Sequence, residues 1–321
     1  METFELLDRF ELLYPTNSKL SDLRRVYIDH DLSSLFRLLN ADEELRKAIM
    51  EENLHSIFRT IDSHDTEDLR KAVIEKNLHS IFRILVDDDL RKLVLEDNIY
   101  KLWPILDRYV NTQFTAAFKN FFVNETEIWN DCFSRGQLES KLWLVNELDK
   151  LDVELGTVFL CAGWYATLAV MLFESNIKLD NVRSFDIDPR CVDIAEVFNK
   201  PWVMKDWKFK SSIQDIYNIN YNQHTYAVKR SDGSQVNLTD SPNTVINTSC
   251  EHIENFEEWY AKIPTGKLVV LQSNNYYEVQ EHVNCVRSIE EFAVKAPMNN
   301  ILYSGELELP KYKRFMLIGI K

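Results

Sequence analysis

A turn of small residues and an acidic residue beyond it are the first features of the sequence whose types and spacing suit a chemical task. The turn comprises Cys161, Ala162, Gly163, Trp164, Tyr165 and Ala166. An apolar run at 158–160 predicts a strand before it, 167–174 predicts a helix after it, and a second strand at 182–185 ends at Asp186. Such a turn lets a ligand approach the backbone, and the acid is placed to accept hydrogen bonds from ribose hydroxyls. The pattern predicts a nucleoside site.

Gly163 is the single glycine of this turn, which favours a ligand smaller than a dinucleotide. A loop that cradles a pyrophosphate prefers Gly-x-Gly-x-x-Gly, whereas Ala162 and Ala166 stand here where further glycines would be. Trp164 and Tyr165 would crowd a pyrophosphate. The residues therefore favour a nucleoside without phosphates over NAD or FAD. The competing interpretation is a Rossmann-like sheet whose first loop binds nothing.

Polar side chains are dense after the predicted fourth strand, 243–247, and the predicted fifth strand, 267–272. The first group is Asn247, Thr248, Cys250, Glu251 and His252. The second group is Gln272, Ser273, Asn274, Asn275, Tyr276, Glu281, His282, Asn284 and Cys285. Open α/β sheets bind ligands at the carboxyl ends of their strands, so both groups predict a substrate site.

Roles within these two groups follow from side-chain chemistry. Asn247, Cys250, His252 and His282 are the candidate catalytic residues, and either histidine suits a base because a free imidazole titrates near neutral pH. The candidate substrate-binding residues are Gln272, Asn274, Asn275 and Tyr276, with amide groups able to hold a substrate amide or carboxylate.

Two further interpretations of the same residues stay open. Cys250 and Cys285 would form a Cys₂His₂ metal site if they met His252 and His282, although Cys-x-His is an unusual zinc spacing. A nucleophilic Cys250 activated by His252 is the other alternative. We assign no metal from the sequence.

Composition limits the class of protein. The chain has 321 residues, of which 45% are hydrophobic, so we expect a globular protein of two domains. No apolar run reaches the roughly 18 residues of a membrane span, and the acidic start at 1–5 lacks the features of a signal peptide. Five widely spread cysteines fit reduced thiols, which together predicts a cytoplasmic protein. The net charge of −14 makes a nucleic-acid partner unlikely.

Residues 1–110 predict an α-helical repeat domain. The segment at 53–59, Asn-Leu-His-Ser-Ile-Phe-Arg, recurs at 77–83, and Leu-Arg-Lys-Ala-Ile at 45–49 recurs in altered form at 69–73 and 90–94. Units of this size bury their apolar faces by stacking, and such a stack suits docking of a protein partner or a second copy. The histidines repeated at 55 and 79 are best explained by duplication rather than by metal binding.

Residues 111–150 predict a helical connector, and 151–321 predict a Rossmann-like domain. In the connector, Gly136 marks a break between helices, and Gln137 and Lys141 are placed to point into a cleft above the sheet as substrate-binding residues. An ordinary turn between helices with solvated polar groups is the alternative. In the last domain we expect helices at 192–199, 253–261 and 288–295, a third strand at 208–212, and hairpins at 226–238 and 301–320.

The segment from about 150 to 321 resembles the class I S-adenosylmethionine (SAM) dependent methyltransferases. The resemblance matches their glycine-containing first loop to 161–165, their ribose-binding acid to Asp186 with Ile187 and Asp188 beside it, and their adenine-contacting acid to Asp215. Their fourth-strand motif falls on 247–252. The resemblance implies a seven-stranded sheet with an antiparallel last strand and SAM as the cofactor, and the aromatic pair after Gly163 suits a sulfonium cation.

These observations predict an enzyme that transfers a methyl group from SAM to a small molecule or a polypeptide. The first alternative is an enzyme of the same fold that transfers the aminocarboxypropyl group of SAM or cleaves SAM. The second alternative is a binding protein without catalysis that acts through its helical repeats.

Overall fold

The computed structural model describes residues 3–17, 20–21, 23–24, 43–44, 47, 88–89, 92–93, 102–110, 112–124, 132–230 and 232–321. The chain divides into two compact units, Met1–Thr115 and Ala116–Lys321. The repeat copies at 53–59, 69–73 and 77–83, and with them His55 and His79, lie outside the described residues. The helical-repeat domain and its docking role therefore remain predictions.

In the first unit the described segments are mainly helical. Helix α1 spans Thr3–Leu13 and helix α2 spans Leu102–Tyr109. Leu6, Leu7 and Phe10 of α1 are buried. No helix in the described part of the chain is long and apolar enough to cross a bilayer.

Of the remaining helices in the described residues, the first two precede the first strand and the others lie between strands. These remaining helices are α3 (Gln113–Asn124), α4 (Arg135–Leu151), α5 (Thr167–Glu174), α6 (Pro189–Phe198), α7 (Lys200–Met204), α8 (Phe256–Ala261) and α9 (Ile289–Lys295). The strands are β1 (Gly156–Cys161), β2 (Leu179–Asp186), β3 (Phe209–Ile213), β4 (His224–Lys229), β5 (Gln235–Asp240), β6 (Thr244–Asn247), β7 (Leu268–Asn274), β8 (Asn300–Glu308) and β9 (Lys313–Ile320).

Seven strands form one sheet in the order β3-β2-β1-β6-β7-β9-β8. In this sheet β3, β2, β1, β6 and β7 pair in parallel, while β9 runs antiparallel to both of its neighbours, β7 and β8. Strands β4 and β5 form a separate antiparallel pair. The Rossmann-like α/β fold with an antiparallel last strand, implied by the resemblance, is confirmed. All seven residues of β7 are buried, as expected for a central strand covered on both faces.

Several element bounds differ from those the sequence predicted. Helix α6 begins at Pro189, earlier than predicted, because Asp188 caps it and proline suits the first helical turn. Gly136 lies inside the first turn of α4 and is not a break between helices; Ser134 is the N-cap. The predicted helix at 253–261 starts only at Phe256, after a short 3₁₀ turn at Cys250–His252.

The core beneath the carboxyl edge of the sheet is aromatic. Phe159 of β1 contacts Phe185 of β2 edge-to-face, with ring centroids 5.0 Å apart. Trp259 of α8 donates its indole N–H to the hydroxyl of Tyr221 at 2.6 Å. This packing fixes the strand ends from which the loops of the candidate site emerge.

Candidate active site

The turn after β1 has left-handed backbone at alternate residues. Ala162, Trp164 and Ala166 have φ of 50°, 49° and 51°. This conformation costs a residue with a Cβ about 1–2 kcal/mol. Ala162 and Ala166 do take places that favour glycine, as the sequence suggested. Trp164 takes a third such place, and this the sequence did not reveal because Trp carries no signal for positive φ.

Gly163 is required for a different reason, namely its close approach to β2. Its N–H donates to the carbonyl of Phe185 at 3.1 Å. A Cβ at this position would lie 2.2 Å from Oγ of Ser184. Asn199, at the end of α6, donates its side-chain N–H to the carbonyl of Ala166 at 3.2 Å and so fixes the far end of the turn.

Asp186 ties this turn to the ends of β2 and β3. Its Oδ2 accepts the backbone N–H of Trp164 at 2.8 Å, and its Oδ1 accepts the N–H of Asp188 at 3.0 Å. Its carbonyl accepts the N–H of Gln214, the residue before Asp215, at 2.9 Å. A carboxylate oxygen accepts about two hydrogen bonds, so both oxygens retain capacity for ligand hydroxyls.

Of the other residues expected to bind the cofactor, some lie at the turn or the strand ends and others are engaged elsewhere in the protein. Trp164 and Tyr165 stack with centroids 4.6 Å apart beside the turn, and Asp215 is half-buried with its Oδ1 accepting the N–H of Tyr217 at 2.9 Å. Asp188 is a helix cap whose carboxylate is held by Arg190 at 2.6 Å, and this hydrogen bond lowers its pKa.

Ile187 and Cys161 are poorly placed to bind a ligand through their side chains. Ile187 is 71% exposed, beyond the end of β2. Cys161 is fully buried, and its Sγ lies 3.5 Å from the hydroxyl of Tyr221. Burial raises the pKa of this thiol to about 12, so it stays protonated at neutral pH.

A buried ion pair organises the ends of β6, β7 and β9. The carboxylate of Glu251 lies 3.3 Å from the guanidinium of Arg314, and these side chains are 4% and 3% exposed. Arg314 also donates to the carbonyl of Thr248 and, at 3.4 Å, to Oε1 of Gln272. Arg314 was not among the site residues predicted from the sequence. Its signal was a charged residue at the start of an otherwise apolar last strand.

Two predicted substrate-binding residues, Gln272 and Asn274, belong to this internal network, and a third, Asn275, bonds to the protein backbone. Gln272 is fully buried and donates to the carbonyl of Ser140 in α4 at 2.9 Å. Asn274 is buried and donates to Oε1 of Glu251 at 2.7 Å. Asn275 accepts the N–H of Lys313 at 2.8 Å through its Oδ1. Burial and these bonds leave Gln272 and Asn274 poorly placed to contact a substrate, whereas Asn275 is half-buried and its role in substrate binding stays a prediction.

Tyr276, like Asn275, is partly accessible. Its ring stacks on Tyr312 with centroids 5.2 Å apart and meets His282 edge-to-face at 6.0 Å. Gln137 and Lys141, in the first two turns of α4, bond to each other, Lys141 donating to Oε1 of Gln137. Lys141 is 6% exposed, so its ammonium is not open to solvent as a cleft residue would be.

His252 and His282 lie close together, as the alternative Cys₂His₂ interpretation required, but the cysteines do not join them. Their rings meet edge-to-face with centroids 4.7 Å apart. Within the described residues, the group of potential metal ligands at this edge is Glu251, His252 and His282. The Cys₂His₂ arrangement is therefore wrong. The thiol of Cys285 donates instead to Oδ1 of Asn274 at 3.4 Å.

Of the remaining catalytic candidates, Asn247 fits its role better than Cys250. Cys250 is fully buried, and burial raises its thiol pKa well above the usual value, which removes the nucleophilic thiolate. Asn247 is buried at the end of β6; its Oδ1 accepts the N–H of Ser249 at 2.8 Å, while its Nδ2 has no partner. A buried donor left unsatisfied is costly, and a ligand acceptor would satisfy it.

Comparison with known proteins gives similarity in structure only. No family model and no curated protein matches the chain. A structure of the N-methyltransferase NodS from Bradyrhizobium japonicum WM9 with S-adenosyl-L-homocysteine is 8% identical with a TM-score of 0.45, over 65% of this chain and 98% of that one. Magnesium protoporphyrin IX methyltransferase (ChlM) from Synechocystis PCC 6803 with bound SAM is 13% identical with a TM-score of 0.41, over 68% and 96%.

Geranyl diphosphate C-methyltransferase from Streptomyces coelicolor A3(2) is similar over 58% of this chain and 80% of its own, at 9% identity and a TM-score of 0.40. All three scores lie below 0.5. The seven-stranded sheet with its antiparallel β9 therefore carries the fold assignment, and a sheet of this kind is what the resemblance to class I SAM-dependent methyltransferases implies.

Proposed function

We propose that this chain is a SAM-dependent methyltransferase whose acceptor is a small molecule or a polypeptide. The observation that carries the proposal is the strained turn at 161–166, hydrogen-bonded through Trp164 to Asp186 at the carboxyl edge of a parallel sheet. Backbone strain of this kind persists where the surrounding structure enforces it, and it concentrates at ligand sites. Open α/β sheets bind their ligands at this same edge.

The donor and acceptor groups at the edge fit the chemical parts of SAM. Asp186 retains acceptor capacity for the ribose diol, and Asp215 offers a carboxylate to the exocyclic amine of adenine. The first turn of α5 lacks a side-chain cap, so its backbone N–H groups suit the carboxylate of the amino-acid tail. Trp164 and Tyr165 suit the sulfonium. When bound, SAM supplies an electrophilic methyl group.

The acceptor half of the edge supplies orientation and a basic group. Nδ2 of Asn247 donates a hydrogen bond to the acceptor molecule, and the ring of Tyr276, stacked on Tyr312, packs against it. The histidine pair supplies nitrogen lone pairs that accept the proton lost by an oxygen or nitrogen nucleophile. Holding the nucleophile in line is the larger contribution, because methyl transfer is sensitive to orientation.

The test is calorimetric titration of SAM and S-adenosylhomocysteine into the full chain and into Asp186→Asn. We expect saturable binding by the wild type and a loss of about 10- to 100-fold in the variant, since a hydrogen bond to a charged group contributes about 1.5–3 kcal/mol. Asp188→Asn is the matched control. It removes the same charge two residues away and should leave affinity unchanged, because Asp188 caps α6.

Absence of binding by folded wild type contradicts the proposal, as does equal loss in both variants. Mass analysis of products separates the two SAM chemistries. A gain in the mass of the acceptor equal to one methylene supports methyl transfer. A gain equal to an aminocarboxypropyl group contradicts methyl transfer and supports transfer of the aminocarboxypropyl group of SAM.

A further inference from the structure

We propose that Glu251, His252 and His282 form a binding site for a first-row divalent cation such as Zn²⁺ or Mn²⁺. One ligand atom from each of these side chains lies within 4.8 Å of the others. The three residues come from the 3₁₀ turn after β6 and from the loop after β7, so the cluster stands beside Asn247 at the acceptor half of the edge. The cation site goes beyond the proposed function and does not depend on it.

The hydrogen bonds of both histidines leave the same ring nitrogen available. Nδ1 of His252 lies 3.1 Å from the carbonyl of Glu281, and Nδ1 of His282 lies 2.7 Å from the carbonyl of Tyr276. A carbonyl only accepts, so in both rings Nδ1 carries the proton and Nε2 has the lone pair. Metal-binding histidines are oriented in this way, with the second ring nitrogen donating to a carbonyl or carboxylate.

The two carboxylate oxygens of Glu251 differ, because one has hydrogen-bonding partners and the other has none. Asn274 and Arg314 both contact Oε1, at 2.7 and 3.3 Å. Oε2 is buried and has no hydrogen-bond partner. An unpaired buried carboxylate oxygen is unfavourable, and a cation bound jointly with the histidines would satisfy it.

The donor set defines the class of cation. Two imidazole nitrogens and one carboxylate oxygen suit Zn²⁺, Mn²⁺, Fe²⁺ or Co²⁺, whereas Ca²⁺ and Mg²⁺ prefer oxygen ligands throughout. Three protein ligands leave coordination positions open for a further molecule. Ligand atoms about 2.1 Å from a tetrahedral ion lie about 3.4 Å apart, so binding draws the three side chains together.

A cation here would change how the acceptor half works. A bound cation lowers the pKa of an oxygen acid that it coordinates, so an acceptor hydroxyl could lose its proton near neutral pH without a histidine base. This consequence rests on the proposed function, whereas the binding of the cation does not. The two are therefore measured separately.

The experiment titrates MnCl₂ and ZnCl₂ into the full, chelator-treated chain, in the absence of SAM. We expect one saturable site in the wild type, weakened by more than about 100-fold in His252→Gln and in His282→Gln, since even outer-shell partners of a metal cost about 10- to 100-fold. His252 is exposed, so its variant should fold. The matched control is the double variant His55→Gln/His79→Gln, which should retain the site.

Electron paramagnetic resonance of the Mn²⁺ complex gives a second readout. Coupling to imidazole nitrogen, reduced in each of the two histidine variants, supports the assignment. The proposal is overturned if folded wild type shows no saturable site, or if His252→Gln binds as tightly as wild type. Titration of SAM into the same variants keeps the tests apart, because loss of the cation site with SAM binding intact leaves the proposed function standing.

Discussion

The two halves of the carboxyl edge are built on opposite principles. The cofactor half is the part of the edge proposed to bind SAM, at the ends of β1, β2 and β3. There the turn after β1 presents its backbone to a ligand, and side chains such as Asp186 and Asn199 hold that backbone in place. In the acceptor half, a buried network around Glu251 and Arg314 holds other side chains and leaves Nδ2 of Asn247 and Oε2 of Glu251 without partners. One half is defined by main-chain shape and the other by unsatisfied side-chain atoms.

This difference predicts that the two halves will tolerate substitution differently. A ligand that meets backbone constrains φ and close packing, so residues can vary if they accept the conformation, as Ala162, Trp164 and Ala166 do. A ligand that meets side-chain atoms constrains residue identity. We therefore expect strain and volume to govern the cofactor half, and charge to govern the acceptor half.

The largest effect should follow Arg314→Met, which removes the cation from the buried pair. The carboxylate of Glu251 would be left uncompensated in the interior, so we expect the free energy of unfolding to fall by about 3–5 kcal/mol. Urea denaturation measures it. The double variant Arg314→Met/Glu251→Gln removes both charges and should recover at least half of the loss. A loss below about 1 kcal/mol would mean that charge does not organise this half.

Gly163→Ala should have an intermediate effect in the cofactor half. The added Cβ would meet Oγ of Ser184, and overpacking of this kind costs about 1–3 kcal/mol. Thermal denaturation of Gly163→Ala and of Gly163→Ala/Ser184→Ala is the measurement, and the second variant should restore most of the stability. If Ser184→Ala gives no recovery, close packing against β2 is not the reason for the glycine.

The smallest effect should be a gain, in Ala162→Gly. Relief of the left-handed conformation, about 1–2 kcal/mol, is partly offset by the greater entropy that glycine has in the unfolded chain, leaving about 0.5 kcal/mol of stabilisation. Ala293→Gly, inside α9, is the matched control and should destabilise by about 1 kcal/mol. Chemical denaturation of both compares their signs. A loss in both variants would show that the turn carries no strain at Ala162.

The sequence predicted the fold well where hydrophobic pattern decides it. The bounds of α5 are those predicted, because Thr167–Glu174 is nearly all apolar between the small-residue turn and polar residues at 175–176. The closing hairpin of β8 and β9 was identified from two long strand-like segments joined by a short turn that contains proline. The backbone conformation of the turn after β1 could not be predicted from the sequence. Nothing in the identity of Trp164 signals φ of 49°, which is imposed by the hydrogen bond to Asp186 and the clamp on Ala166.

The location of the candidate site stays a prediction, and the structure shows protein partners for several of its predicted residues. Polar residues after β6 and β7 were interpreted as substrate contacts, and the pairing of Glu251 with Arg314 explains why Gln272 and Asn274 are needed inside the protein instead. Arg314 binds the carbonyl of Thr248 but follows it by 66 residues, so this contact cannot be inferred from local spacing. The histidine pair was found because both residues follow adjacent strands.

The placement of β9 between β7 and β8 also sets the order in which the protein becomes complete during synthesis. Arg314 follows Thr248, whose carbonyl it binds, by 66 residues. At about 5–20 residues per second, the ribosome makes Arg314 roughly 3 to 13 seconds later. Until Arg314 is made, Glu251 has no guanidinium beside it, and β7, once translated, has an open edge until β9 follows. The acceptor half is thus assembled after the cofactor half, whose strands and loops are all translated earlier.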